Sequence, residues 1–74
     1  MLTFGKRLKL VRLEKGLTQR QVADLFKITE RAYQNYEIDK STPNVALLTS
    51  IANYFDVSID YLLGRTDNPN SHKL

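Results

Sequence analysis

GLTQRQVADLFKITERAYQNYE, residues 16–37, decides the fold, because it contains one helix-starting pattern twice. Thr18 supplies an N-cap hydroxyl, Gln21 follows three residues later as in a capping box, and Leu17 before the cap is placed to staple onto Val22. A helix therefore starts at Gln19, with Val22, Leu25 and Phe26 at the i, i+3, i+4 spacing of a buried face. The pattern then repeats: Ile28 precedes the cap residue Thr29, and Tyr33 occupies the stapling position. Two short helices follow one another with only a tight turn between them.

Working outward, Phe4, Leu8 and Val11 form an i, i+4, i+7 stripe on a first helix closed by Gly16, and Lys6, Arg7 and Lys9 read as its solvated basic face. Downstream, Pro43 and Asn44 open a fourth helix whose stripe is Leu48, Ile51, Ala52 and Phe55. A short fifth helix starts from Ser58, with Val57 and Leu62 as the staple, and ends at Gly64. No segment alternates as a strand would, so the chain is expected to be all-α. Residues 1–64 read as one domain and 65–74, RTDNPNSHKL, as a flexible polar tail.

At 74 residues there is room for one small core and none for a large catalytic cleft. Cysteine is absent and His72 is the one histidine, which removes disulfides, thiolate chemistry and histidine-cluster zinc sites. His72, alone in the polar tail, is expected to be neither ligand nor base. No phosphate-cradling glycine loop or nucleophile–base arrangement is readable, so neither enzyme activity nor a cofactor or metal is expected. No window approaches the roughly 18 apolar residues of a membrane span, and a cytoplasmic location is expected. The net charge of +3 is unevenly placed: residues 1–43 hold nine Lys and Arg against five Asp and Glu, while the rest is slightly acidic. An anionic partner would meet the first 43 residues.

Two short helices joined by a tight turn, behind a basic first helix, make the pattern of a helix-turn-helix, whose second helix enters the DNA major groove. The stretch quoted above, followed by KSTPNVALLTSIANYFDVSIDYLLG (residues 40–64), closely resembles the Xre/Cro/phage-repressor family, and the resemblance covers about residues 4–64. It implies a compact five-helix bundle of the lambda-repressor-like type, with the motif formed by helices 2 and 3. Position by position, Gln19 is similar to the residue opening the family's second helix, Ala23 to the small residue where the two helices cross, Ile28 to the turn hydrophobe and Glu37 to the closing glutamate. Two positions depart from the pattern: Lys27 and Asp39 stand where glycine is usual. Both sites are expected to need positive φ, at a cost of roughly 1 kcal/mol each.

The reading face of helix 3 (about residues 29–38) follows from geometry. At about 100° per residue, Tyr36 and Glu37 fall on the same inner side as Tyr33, while Arg31 and Asn35 fall near the opposite pole with Gln34 beside them. Arginine pairs bidentately with guanine, and asparagine or glutamine with adenine, so these side chains suit direct readout. The resemblance implies reading positions at Glu30, Arg31 and Asn35. Glu30 either accepts from cytosine N4 or serves as a favourable charge at the helix N-terminus. Tyr33 and Tyr36 are assigned to the core rather than to base stacking. Thr18, Gln19 and Lys40 are expected to contact phosphate.

Glu37, on the inner side, needs a partner, and Arg12 near the end of helix 1 is placed to supply it; the resemblance points to the same ion pair. On the fifth helix Ile59, Tyr61 and Leu63 point away from the inward Leu62, and similar repressors pair through this region, which implies a homodimer on a palindromic operator. The function expected is a double-stranded-DNA-binding transcriptional regulator, in the simplest case a repressor. The alternative is an interaction module on the same fold, for example an antitoxin-like partner of another protein.

Overall fold

The computed structural model describes residues 2–70, and its five helices are α1 (Phe4–Glu14), α2 (Gln19–Leu25), α3 (Glu30–Glu37), α4 (Val45–Phe55) and α5 (Ile59–Leu62). Among the described residues there is no strand, and no helix is long and apolar enough to cross a membrane. Each helix is started by a side chain that accepts from a backbone N–H in its first turn: Thr3, Thr18, Thr29, Asn44 and Ser58. At Thr18 the box is complete, because Gln21 Oε1 accepts from the Thr18 N–H at 2.8 Å while Thr18 Oγ1 accepts from the Gln21 N–H at 3.1 Å.

The helices also stop alike. After each one a residue takes left-handed backbone angles: Gly16, Lys27, Asp39, Asp56 and Gly64. The N–H of that residue and the N–H after it then fold back onto the last orphan carbonyls, as where Lys27 N donates to Asp24 O at 3.2 Å and Ile28 N to Ala23 O at 3.0 Å. Local rules thus set both ends of every helix, and the remaining freedom is how the five pack.

Packing uses one fully enclosed side chain from each helix. Leu8, Val22, Tyr33, Ile51 and Leu62 are all 0 % exposed, and Phe4, Val11, Ala23, Leu48, Ala52 and Phe55 surround them. Ala23, the small residue of α2, is buried in this core. α1 approaches α3 closely at Gly5, which faces the carbonyls at the end of α3.

The basic face assigned to α1 requires correction. Lys6 and Lys9 are exposed, but Arg7 is 3 % exposed. Its guanidinium lies 4.0 Å from the centre of the Tyr61 ring, and Nη2 donates to Asp67 Oδ1 at 3.0 Å. Arg7 stands at i+3 from Phe4 and i+4 before Val11, so it belongs to the apolar stripe and buries its stem there. Asp67 and Pro69 fall in the segment read as a tail; the Pro69 carbonyl accepts from Ser58 N at 2.7 Å, tying that segment to the start of α5. His72 lies outside the described residues.

Candidate nucleic-acid interface

The inner side of α3 is held by a buried polar cluster. Arg12 Nε donates to Glu37 Oε2 at 2.6 Å and Nη2 to Oε1 at 3.2 Å, while Nη1 donates to the Leu17 carbonyl at 2.9 Å. The two side chains are 9 % and 3 % exposed. Gln19 Nε2 adds a third donor to the carboxylate at 3.1 Å. Burial pushes the Glu37 carboxyl up, but the hydrogen bonds and charge of its neighbours outweigh that and hold it below its ordinary range. The hydrogen bond with Glu37 raises Arg12 in turn, against the effect of burial. Tyr33 sits beside the pair without a hydrogen bond of good geometry to its hydroxyl, and burial together with the Glu37 charge keeps it neutral well above the usual tyrosine range.

The opposite side of α3 faces outward. Arg31, Gln34 and Asn35 line one shallow concavity of about 360 Å³ together with Gln19, Ile38 and Lys40. Arg31 and Lys40 are exposed, and Gln34 and Asn35 half-buried. Gln34 Nε2 donates to Gln19 Oε1 at 3.3 Å and approaches Glu30 Oε2 at 3.5 Å. Glu30 is in the first turn of α3, where its charge complements the exposed N–H groups, and it stands outside the concavity. Thr18, exposed at the start of α2, keeps its hydroxyl proton available while its oxygen caps the helix. The structure therefore brings together Gln19, Arg31, Gln34, Asn35 and Lys40. It also adds Ile38, which the sequence reading passed over although it follows Arg31 by seven residues on the same helix face.

Ile59, Tyr61 and Leu63 are each half-buried against the monomer core, and Tyr61 is covered by Arg7. The most exposed large apolar side chains stand elsewhere, among them Val45 at 77 % and Ile38 at 68 %. Among the described residues no three His, Cys, Asp or Glu gather as a metal site requires.

A capped helix, a left-handed stop, and a second capped helix whose outer face carries amide and guanidinium groups define a helix-turn-helix protein. Residues 8–62 match the helix-turn-helix family, and the chain belongs to it. It is 44 % identical over 63 residues to the SPbeta prophage-derived uncharacterized HTH-type transcriptional regulator YonR of Bacillus subtilis, a match covering 85 % of this chain and 58 % of that protein. It is 38 % identical over 66 residues to the HTH-type transcriptional regulator ImmR of the same organism, covering 89 % of this chain and 52 % of ImmR. With the HTH-type transcriptional activator BcrR of Enterococcus faecalis it shares 37 % identity over 60 residues, 81 % of this chain and 29 % of BcrR. The chain thus spans little more than half the length of the Bacillus relatives.

Proposed function

We propose that the chain binds double-stranded DNA sequence-specifically, with α3 in the major groove, and regulates transcription by occupying a promoter. The observation that carries this reading is the concavity in which Arg31, Gln34 and Asn35 converge beside Lys40, since it presents base-pairing side chains next to a phosphate-seeking charge. Relatives named as transcriptional regulators support it. Thr18, Lys40 and the second amide proton of Gln19 hold phosphates and set the register of α3. Arg31 and Asn35 discriminate bases, and Gln34 reads adenine once its amide turns from Gln19 and Glu30 toward the groove. Glu30 either accepts from a cytosine amine or acts only through the helix N-terminus. Repression by occlusion asks nothing of the protein beyond this binding.

Two copies act together. The chain carries a single α3, whereas successive major grooves on one face of DNA lie roughly 34 Å apart. One copy therefore reads one half-site, and a two-fold pair joined through the α5 region, around Ile59, Tyr61 and Leu63, reads a palindrome. Because these residues are half-buried already, the contact is small and pairing is strongest on DNA. A cytoplasmic location follows from this role.

Selection from a random duplex pool tests the reading. A palindromic consensus with half-sites about one helical turn apart, bound with an affinity that falls steeply with salt, is the expected result. No enrichment, or protection of a single half-site at saturation, overturns DNA reading in the first case and pairing in the second.

A further inference from the structure

The concavity on α3 has an apolar end. Ile38 is 68 % exposed, yet it shares that surface with Arg31 and Asn35 and lies at i+7 and i+3 from them. Its backbone is fixed: its N–H donates to the Gln34 carbonyl at 3.2 Å, and the following two N–H groups close the helix on Tyr36 and Asn35. An exposed isoleucine on a surface is by itself ordinary, and Val45 is more exposed. What sets Ile38 apart is its neighbours, because a branched apolar side chain continues a row of hydrogen-bonding groups, Gln19, Arg31, Gln34, Asn35 and Lys40, that line the same concavity.

We infer that Ile38 is a specificity-determining residue that packs on the 5-methyl group of a thymine in the major groove. This inference rests on the reading of α3 as the DNA-recognition helix. The chemistry is selective: of the four bases only thymine displays an apolar group on the major-groove edge, while the others present donors and acceptors that Ile38 cannot satisfy. A base pair that sets an amine or carbonyl against Ile38 loses a water without gaining a partner, so the side chain favours thymine and disfavours the rest. Arg31 and Asn35 read hydrogen-bond patterns about two turns and one turn earlier on the helix, and Ile38 extends the reading by one further base step toward the Lys40 end. The fixed backbone at the helix stop means that its side chain arrives in one place rather than sweeping over several bases.

Uracil tests this directly, since it keeps every hydrogen-bonding group of thymine and lacks only the methyl. On the selected operator, each thymine of a half-site is replaced in turn by uracil, and binding of the full chain and of Ile38→Ala is measured on every duplex. The wild-type chain is expected to lose about four-fold at one thymine, the effect of one buried methyl. Ile38→Ala is expected to bind the parent operator several-fold more weakly and to be indifferent to uracil at that same position, while still responding to changes opposite Arg31 and Asn35. Ile38→Val, which keeps two methyl groups, is expected to retain most of the uracil sensitivity. The proposal is overturned if no thymine methyl matters to the wild type, or if Ile38→Ala keeps the full sensitivity. Failure of the wild-type chain to prefer any duplex would overturn it together with the reading on which it rests, and the two failures are distinguishable because the first leaves the parent operator tightly bound.

Discussion

Gly5 stands against the end of α3 so closely that a Cβ at this position would lie 2.6 Å from the Tyr36 carbonyl oxygen and nearer still to that of Glu37. Both obstacles are backbone, so neither can swing away. Helix propensity alone favours alanine over glycine here by about 1 kcal/mol. The clash reverses the sign: Gly5→Ala is expected to lower stability by about 2 kcal/mol, since the two helices must separate. Urea unfolding of the two proteins decides it, and a stabilised variant would show that α1 and α3 can part at little cost.

Removing the Glu37 charge leaves the buried Arg12 guanidinium without its counter-ion, which is expected to cost about 3 kcal/mol in Glu37→Gln at pH 7. Because the folded-state pKa of Glu37 is lowered, the stability it contributes is fully present above the ordinary glutamate range and is lost as pH falls through that depressed value. The gap between wild type and Glu37→Gln should therefore be wide at pH 7 and narrow well below pH 4. Denaturant midpoints across that range provide the check, and a gap independent of pH would show that shape rather than charge is at stake.

Lys27 and Asp39 occupy the same left-handed backbone region, at φ 57° and 61°, and opposite outcomes are expected when each becomes glycine. Lys27 is exposed, and Lys27→Gly should stabilise by about 1 kcal/mol by relieving the Cβ conflict. The Asp39 carboxylate, by contrast, accepts from Thr3 Oγ1 at 2.6 Å and from the Gly5 N–H at 2.8 Å, pinning the first turn of α1 to the end of α3. Asp39→Gly should therefore destabilise by about 1 kcal/mol despite the easier backbone. Thermal midpoints moving in the same direction for both would contradict this account.

On DNA, Arg31→Ala and Asn35→Ala are each expected to cost about 1–3 kcal/mol on the preferred site and to relax base preference locally. Lys40→Ala should weaken binding evenly across sequences and reduce the salt slope by about 1. Competition binding on single-base-variant duplexes separates the two behaviours. Unchanged discrimination in both Arg31→Ala and Asn35→Ala would move the reading face off α3.

What the sequence made legible is what acts over one helical turn. Thr18 with Gln21, Thr29, Asn44 and Ser58 declare helix starts because cap and partner lie within three residues of each other. The left-handed sites at Lys27 and Asp39 were also legible, through resemblance to a glycine pattern. That Asp39 caps α1 was not, since Thr3 and Gly5 lie more than thirty residues away. The burial of Arg7 is hidden from the sequence for a related reason. Its spacing fits the buried stripe, but its charge argued for solvent, and the groups that make burial possible, Tyr61 and Asp67, reach it only in the folded chain. The outward face of α5 shows the limit of helical arithmetic on a four-residue helix: Ile59, Tyr61 and Leu63 diverge from Leu62, yet neighbouring segments partly cover all three.

The cluster around Glu37 grips α3 from two sides at once, with Arg12 reaching from α1 and Gln19 from α2, and Gln19 continues to Gln34 on the outer face. α3 is thus tied to both neighbouring helices within the folded chain, and docking it into a groove as proposed would have little further backbone to order. On the proposed reading, the entropy lost on association would fall mainly on a few outward side chains, Arg31 and Lys40 foremost, whose long stems a base or phosphate would arrest. Discrimination between sequences would then depend on how well those few tips are met by the bases, with the frame behind them pinned from two sides.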